Sequence, residues 1–185
     1  MAISRYNVVM HGASGVVGGL VQFSQRNGQT IIGKRRKKTT TASDDQLEIR
    51  RKFKKATVYA LASLEVPERL ALYEGKTSLG ISAFNVAIKD YFTAPEIVEI
   101  INTNYNGAAG GRIDILATDD VSVRSLSVSI YTAQGTLVES GAAVKTEEGF
   151  WYYTTTAISP LLEGTRVVAT AMDLPGNTAS AELVL

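Results

Sequence analysis

The residues able to do chemistry are few, and most of them are glycines. Gly12-Ala-Ser-Gly15-Val-Val-Gly18-Gly19 follows the apolar run that ends at Met10-His11. Spacing of this kind lets a helix N-terminus approach a dinucleotide pyrophosphate, with backbone N–H groups and the helix dipole receiving the anion. His11 is the one histidine, so any Ser-His-Asp relay would have to run through it. The chain has no cysteine, which excludes a disulfide framework, a thiolate metal site and a Cys nucleophile. Neither Gly-x-Ser-x-Gly, HExxH nor a Walker motif occurs. Asp119-Asp120 and Asp173 could meet at one end of a sandwich and hold calcium, but acids in such places also cap turns, and no metal and no cofactor are assigned. Phe150-Trp-Tyr-Tyr153 alternates, so two of its aromatics point inward as core. The outward pair is a candidate interface or carbohydrate platform.

The elements that must position these residues fall into three groups. Residues 1–43 predict strand, Gly-rich link, strand, Asn27-Gly28 turn and strand, then a basic, Thr-rich stretch with no periodicity. Residues 44–104 predict helices. Ser43 and Gln46 fit a capping box, with Asp44 and Asp45 at the positive end of the dipole. That helix runs to about Ser63, with Leu47, Phe53, Val58 and Leu61 as its apolar contacts. Pro67 to Glu74 and Ser82 to Tyr91 give two more, the last with Phe84, Ala87, Ile88 and Tyr91 on one face. Asn104 to Gly111 is turn-rich and marks a boundary. Residues 105–185 then carry short strands punctuated by turns, the pattern of a β-sandwich. The expected fold class is therefore α+β: an extended basic arm with a hairpin, a small helical region and a C-terminal sandwich.

Charge divides the chain more sharply than its total of +1 implies. Residues 1–60 carry a net +9, residues 61–108 a net −3 and residues 109–185 a net −5. A basic front end of this kind meets nucleic acid or an acidic protein surface. The candidate partner-binding residues are Arg26, Lys34, Arg35, Arg36, Lys37, Lys38, Arg50 and Arg51. No apolar run approaches the roughly 20 residues that span a bilayer, and the N-terminus reads without a signal peptide.

Three resemblances follow from these residues. The glycines at 12 to 19 resemble the turn of short-chain dehydrogenases and epimerases over about 30 residues, which would imply a nucleotide-cofactor enzyme. No Tyr is followed four residues later by Lys, so that family's catalytic pair is missing. Gly111 to Asp120, Val123 to Ile130, Gly135 to Gly141, Trp151 to Thr154 and Gly164 to Ala171 resemble a bacterial immunoglobulin-like domain. Asp173-Leu-Pro-Gly-Asn177 completes the match as the turn before its last strand. That family implies binding or structural work rather than catalysis. Gly12 to Gly15, Gln25-Arg-Asn-Gly28, Lys34 to Lys38, Gln46 to Phe53, Ser82 to Asp90 and Phe92 to Ile97 resemble a group of phage and prophage proteins of virion type.

Together these give a non-enzymatic expectation: an auxiliary or decoration protein of a tailed-phage capsid. Its basic arm would lie against major capsid subunits, its strands completed by the partner, while the Ig-like domain projects. The same parts would serve a neck or tail ring. Packaged DNA is a further candidate contact for the arm, membrane is not, and the protein is expected to be multimeric in the virion after synthesis in the host cytoplasm.

Overall fold

The computed structural model describes residues 2–4, 10, 12–35, 41–159 and 161–185. Among them are three helices and twelve strands, so the chain is mixed α+β and mostly β, with its strands in three antiparallel four-stranded sheets. It divides into two units, residues 1–51 and 52–185.

The first unit contains β1 (Ala2–Ser4), β2 (Gly15–Val17), β3 (Val21–Arg26) and β4 (Gln29–Lys34), in the spatial order β1-β4-β3-β2. Asn27 and Gly28 have φ of 50° and 74°. This is the doubly positive pair that a two-residue hairpin needs to match strand twist, and it joins β3 to β4 in the register Arg26↔Gln29. The hairpin expected here is present. Within the span expected as an extended arm, β1 and β2 pair with β4 and β3, so these strands complete one another, while residues 36–40 of that span lie outside the described residues.

Helix α1 (Asp44–Leu64) starts where Ser43 Oγ accepts from Gln46 N at 3.3 Å. Its buried residues are Ala56, Ala60 and Ser63. The expected contacts Leu47, Phe53, Val58 and Leu61 are instead exposed, because the helix approaches its neighbours along its small side chains. Helix α2 (Pro67–Glu74) begins with proline at its first turn, where no amide donor is needed. Helix α3 (Ala83–Phe92) is capped by Ser82. Ala60, Tyr73, Val86 and Ala87 form the core of the helical region, with Val121 and Leu174 packed against it.

The remaining strands form two sheets. One contains β5 (Glu96–Asn104), β6 (Arg112–Thr118), β9 (Val144–Lys145) and β10 (Trp151–Thr154), in the order β5-β6-β10-β9. The other contains β7 (Val123–Tyr131), β8 (Leu137–Ala142), β11 (Arg166–Asp173) and β12 (Thr178–Val184), in the order β12-β11-β7-β8. Alternation decides their faces. Ile113 and Ile115 of β6, Leu126, Val128 and Ile130 of β7, and Val167, Ala169 and Ala171 of β11 share one core. Trp151 and Tyr153 join it, while Phe150 and Tyr152 stay partly exposed. Strand β5 lies within the span grouped with the helices, yet it pairs with β6.

Candidate functional site

The basic residues of the first unit are set by the β3–β4 hairpin. Lys34 pairs with Val21 at one end and Arg26 closes the other, about 17 Å apart at the usual rise per strand residue. Arg35 continues from β4, held by its backbone N–H donating to Leu20 O at 2.8 Å. All three are exposed. Lys34 and Arg35 are thus brought together, and Arg26 is kept apart from them. Arg50 and Arg51 are exposed on α1. Arg36, Lys37 and Lys38 lie outside the described residues, as does His11.

The glycine stretch does not build a dinucleotide turn. Gly15 opens β2, and Gly18 and Gly19, with φ of 58° and 67°, make the turn into β3. A strand follows it rather than a helix N-terminus, so the anion-receiving amides of the cofactor reading are not formed there. The stretch is tied to the sheet instead. Gln25 Nε2 donates to Ala13 O at 2.6 Å and to Thr30 Oγ1 at 2.8 Å, and Thr30 Oγ1 donates to Met10 O at 2.9 Å. Thr30 is the one buried side chain among those described in this sheet. Val16, Val17, Leu20 and Val21 are exposed in a nearly continuous run.

The second cluster of polar chemistry lies where the helices meet the turns of the two sheets, within residues 52–185. Asp90 of α3 is fully buried. Its Oδ2 accepts from Tyr73 Oη at 2.8 Å, and Tyr73 Oη is 2.8 Å from Tyr59 Oη. Burial pushes the Asp90 carboxyl up to about 7; the Tyr73 hydrogen bond opposes this, and the charges of Asp119, Asp173 and Asp120 add to it. Burial and its two partners likewise push the Tyr73 phenol upward. Asn177 Nδ2 lies within 2.8–3.3 Å of Asp173 Oδ2 and of the carbonyl oxygens of Asp90, Tyr91 and Thr93. Tyr91 O and Thr93 O are carbonyls of the kind a helix C-terminus leaves without an intrahelical partner, whereas Asp90 O also accepts from Thr93 N.

The three acids weighed as calcium ligands have other work. Asp119 Oδ2 accepts from Val121 N and Ser122 N, and Asp173 Oδ1 accepts from Gly176 N and Asn177 N. Asp120 pairs with Lys89 at 2.8 Å, and that bond holds its carboxyl below the usual range. Among the described residues no group of three or more acids or histidines is placed to hold a metal ion.

The sequence reading missed Asp90 and Glu139. Glu139 Oε2 accepts from Thr156 N, Thr156 Oγ1, Ala157 N and Tyr153 Oη. Asp90 left a signal, since it falls three and four residues after Ala87 and Val86 on the buried face of α3.

No family model matches the chain, and no curated protein does. A conjugative transposon lipoprotein from Bacteroides eggerthii is similar in structure at a TM-score of 0.24 and 13% identity, over 49% of this chain and 92% of that one. Neither value ties the two folds together.

Proposed function

We propose that the protein is a structural component of a tailed-phage virion, an auxiliary or decoration protein of the capsid, and that its first unit is the attachment piece. One observation carries this reading. The β1–β4 sheet exposes Val16, Val17, Leu20 and Val21 and buries only Thr30 among its described side chains. A sheet with so little core of its own gains its stability from what covers it. Lys34, paired with Val21, and Arg35, tied to Leu20 O, stand beside these residues with positive charge, and Arg26 adds another at the far end of the hairpin. Such charge suits an acidic protein lattice, or DNA phosphates if the unit faces inward. Repetition over a lattice would turn a weak single contact into firm attachment.

The two sheets of residues 96–185 fit the projecting part. In the order A-B-E-D facing G-F-C-C′, β5, β6, β10 and β9 take the first four places and β12, β11, β7 and β8 the others. That correspondence supports the reading of an immunoglobulin-like sandwich, a fold that presents binding surfaces without implying a reaction. The test is the presence of the chain in purified particles.

A further inference from the structure

We propose that Asp90 is carried as the neutral acid and that the loss of its charge lets the helices and the turn at Asp173–Asn177 stay joined. The inference is independent of the virion reading, because it concerns only the inside of residues 52–185.

The argument starts from an unpaired atom. Asp90 is fully buried, and its Oδ1 has no hydrogen-bond partner. Its Oδ2 ends a chain of hydroxyl donors running from Tyr59 of α1 through Tyr73 of α2. Among the described residues it has no ion-pair partner. The cation next to it in sequence, Lys89, is mostly exposed and bound to Asp120, and Lys76 also acts on Asp120. Beyond the neutral tyrosines, the charges that act on Asp90 are negative: Asp119 and Asp120 from the β6–β7 turn and Asp173 from the end of β11. Asp119 Oδ1 is a second buried oxygen without a partner.

A buried carboxylate with no countercharge, looking at other carboxylates, is a costly arrangement. A proton on Oδ1 removes the charge and leaves the acceptor at Oδ2 in use. Asn177 fits a neutral joint, since its one amide ties the end of α3 to Asp173. When Asp90 ionises, repulsion from Asp119 and Asp173 acts across the packing of Val121 and Leu174 on the helical core.

The sign follows from linkage. The folded-state value lies above the ordinary one, so the folded chain holds an extra proton between about pH 4 and pH 7. The joint is therefore firmest at the acid side of that window and loosens as pH rises through it.

The experiment compares denaturant unfolding of the full chain and of Asp90→Asn from pH 4 to pH 8.5. Asparagine copies the neutral acid. The ratio of the wild-type to the variant unfolding constant should rise across this range by roughly three orders of magnitude. A ratio that stays flat overturns the proposal, as does a variant that loses ground against the wild type as pH rises. Millimolar calcium added to the wild type at pH 8.5 should leave its stability unchanged. Marked stabilisation would mean that a cation neutralises the cluster, and the proposal falls. If Asp90→Asn does not fold, carbon NMR of the Asp90 carboxyl in the wild type decides the matter: titration near neutrality supports the proposal, and titration near pH 4 overturns it.

Discussion

Asn177→Ala removes one amide whose donors reach four acceptors. The bond to Asp173 Oδ2, at 2.8 Å, goes to a carboxylate. Hydrogen bonds to charged groups contribute about 1.5–3 kcal/mol. The carbonyls of Asp90, Tyr91 and Thr93 share the rest at 3.2–3.3 Å. Asp90 O keeps another donor, Thr93 N, so its loss is small, while Tyr91 O and Thr93 O lose more. A destabilisation of about 2–3 kcal/mol results, equivalent to roughly 5–10 °C in Tm for a chain of this size. Urea unfolding read by Trp151 fluorescence should show the midpoint falling with the slope unchanged. Asn177→Asp sharpens the test, because it removes the same donors and sets a second carboxylate beside Asp173. At pH 8 it should be less stable than the alanine variant, and the gap should close in acid. An alanine variant within 0.5 kcal/mol of the wild type would refute the reasoning, and so would an aspartate variant no worse than alanine.

Glu139 should show the opposite pH behaviour to Asp90. Burial alone would raise its carboxyl, but the donors from Thr156, Ala157 and Tyr153 outweigh burial and hold it below the usual range. Its contribution is therefore present above the ordinary glutamate value and lost as pH falls through the depressed one. Glu139→Gln should cost about 1–2 kcal/mol at pH 7 and show a smaller loss between pH 5 and pH 3, as read from urea midpoints; equal losses would count against the hydrogen-bond account. Reversing charge at Arg26, Lys34 and Arg35 together should weaken co-sedimentation with particles that lack the protein and flatten its salt dependence. Because all three are exposed, the thermal unfolding of the variant should match the wild type, and undiminished co-sedimentation would remove these residues from the contact.

Local signals carried much of the fold. Ser43 and Gln46 marked the start of α1, Pro67 the start of α2, and Asn27-Gly28 the β3–β4 hairpin, because each acts through backbone geometry within four residues. Alternation in Leu126 to Tyr131 placed the buried side of β7 for the same reason. What failed was long-range. The three residues of β1 are too few to show a pattern, so their pairing with β4 was invisible and the arm read as extended. The turn-rich residues Asn104 to Gly111 read as a domain boundary, but they close the connection between β5 and β6, with Gly107 and Gly110 at φ of 84° and 85°. Size and hydrophobicity point to the large apolar residues of α1 as its contact face, whereas Ala56, Ala60 and Ser63 permit the closer approach. Asn177 and α3 lie more than 80 residues apart in sequence, and no spacing rule connects them. The basic residues were legible as a group by charge, yet their separation along the hairpin was not.

Incorporation into a particle through the first unit is the proposal on which the functional reading rests. Quantitative mass spectrometry of gradient-purified particles, from cells carrying either the native chain or one lacking residues 1–51, tests it most directly. The account predicts the native chain in particles at a fixed ratio to the major capsid protein, and the shortened chain left in the soluble fraction. Particles without the native chain, or particles that take up the shortened chain equally well, would contradict it.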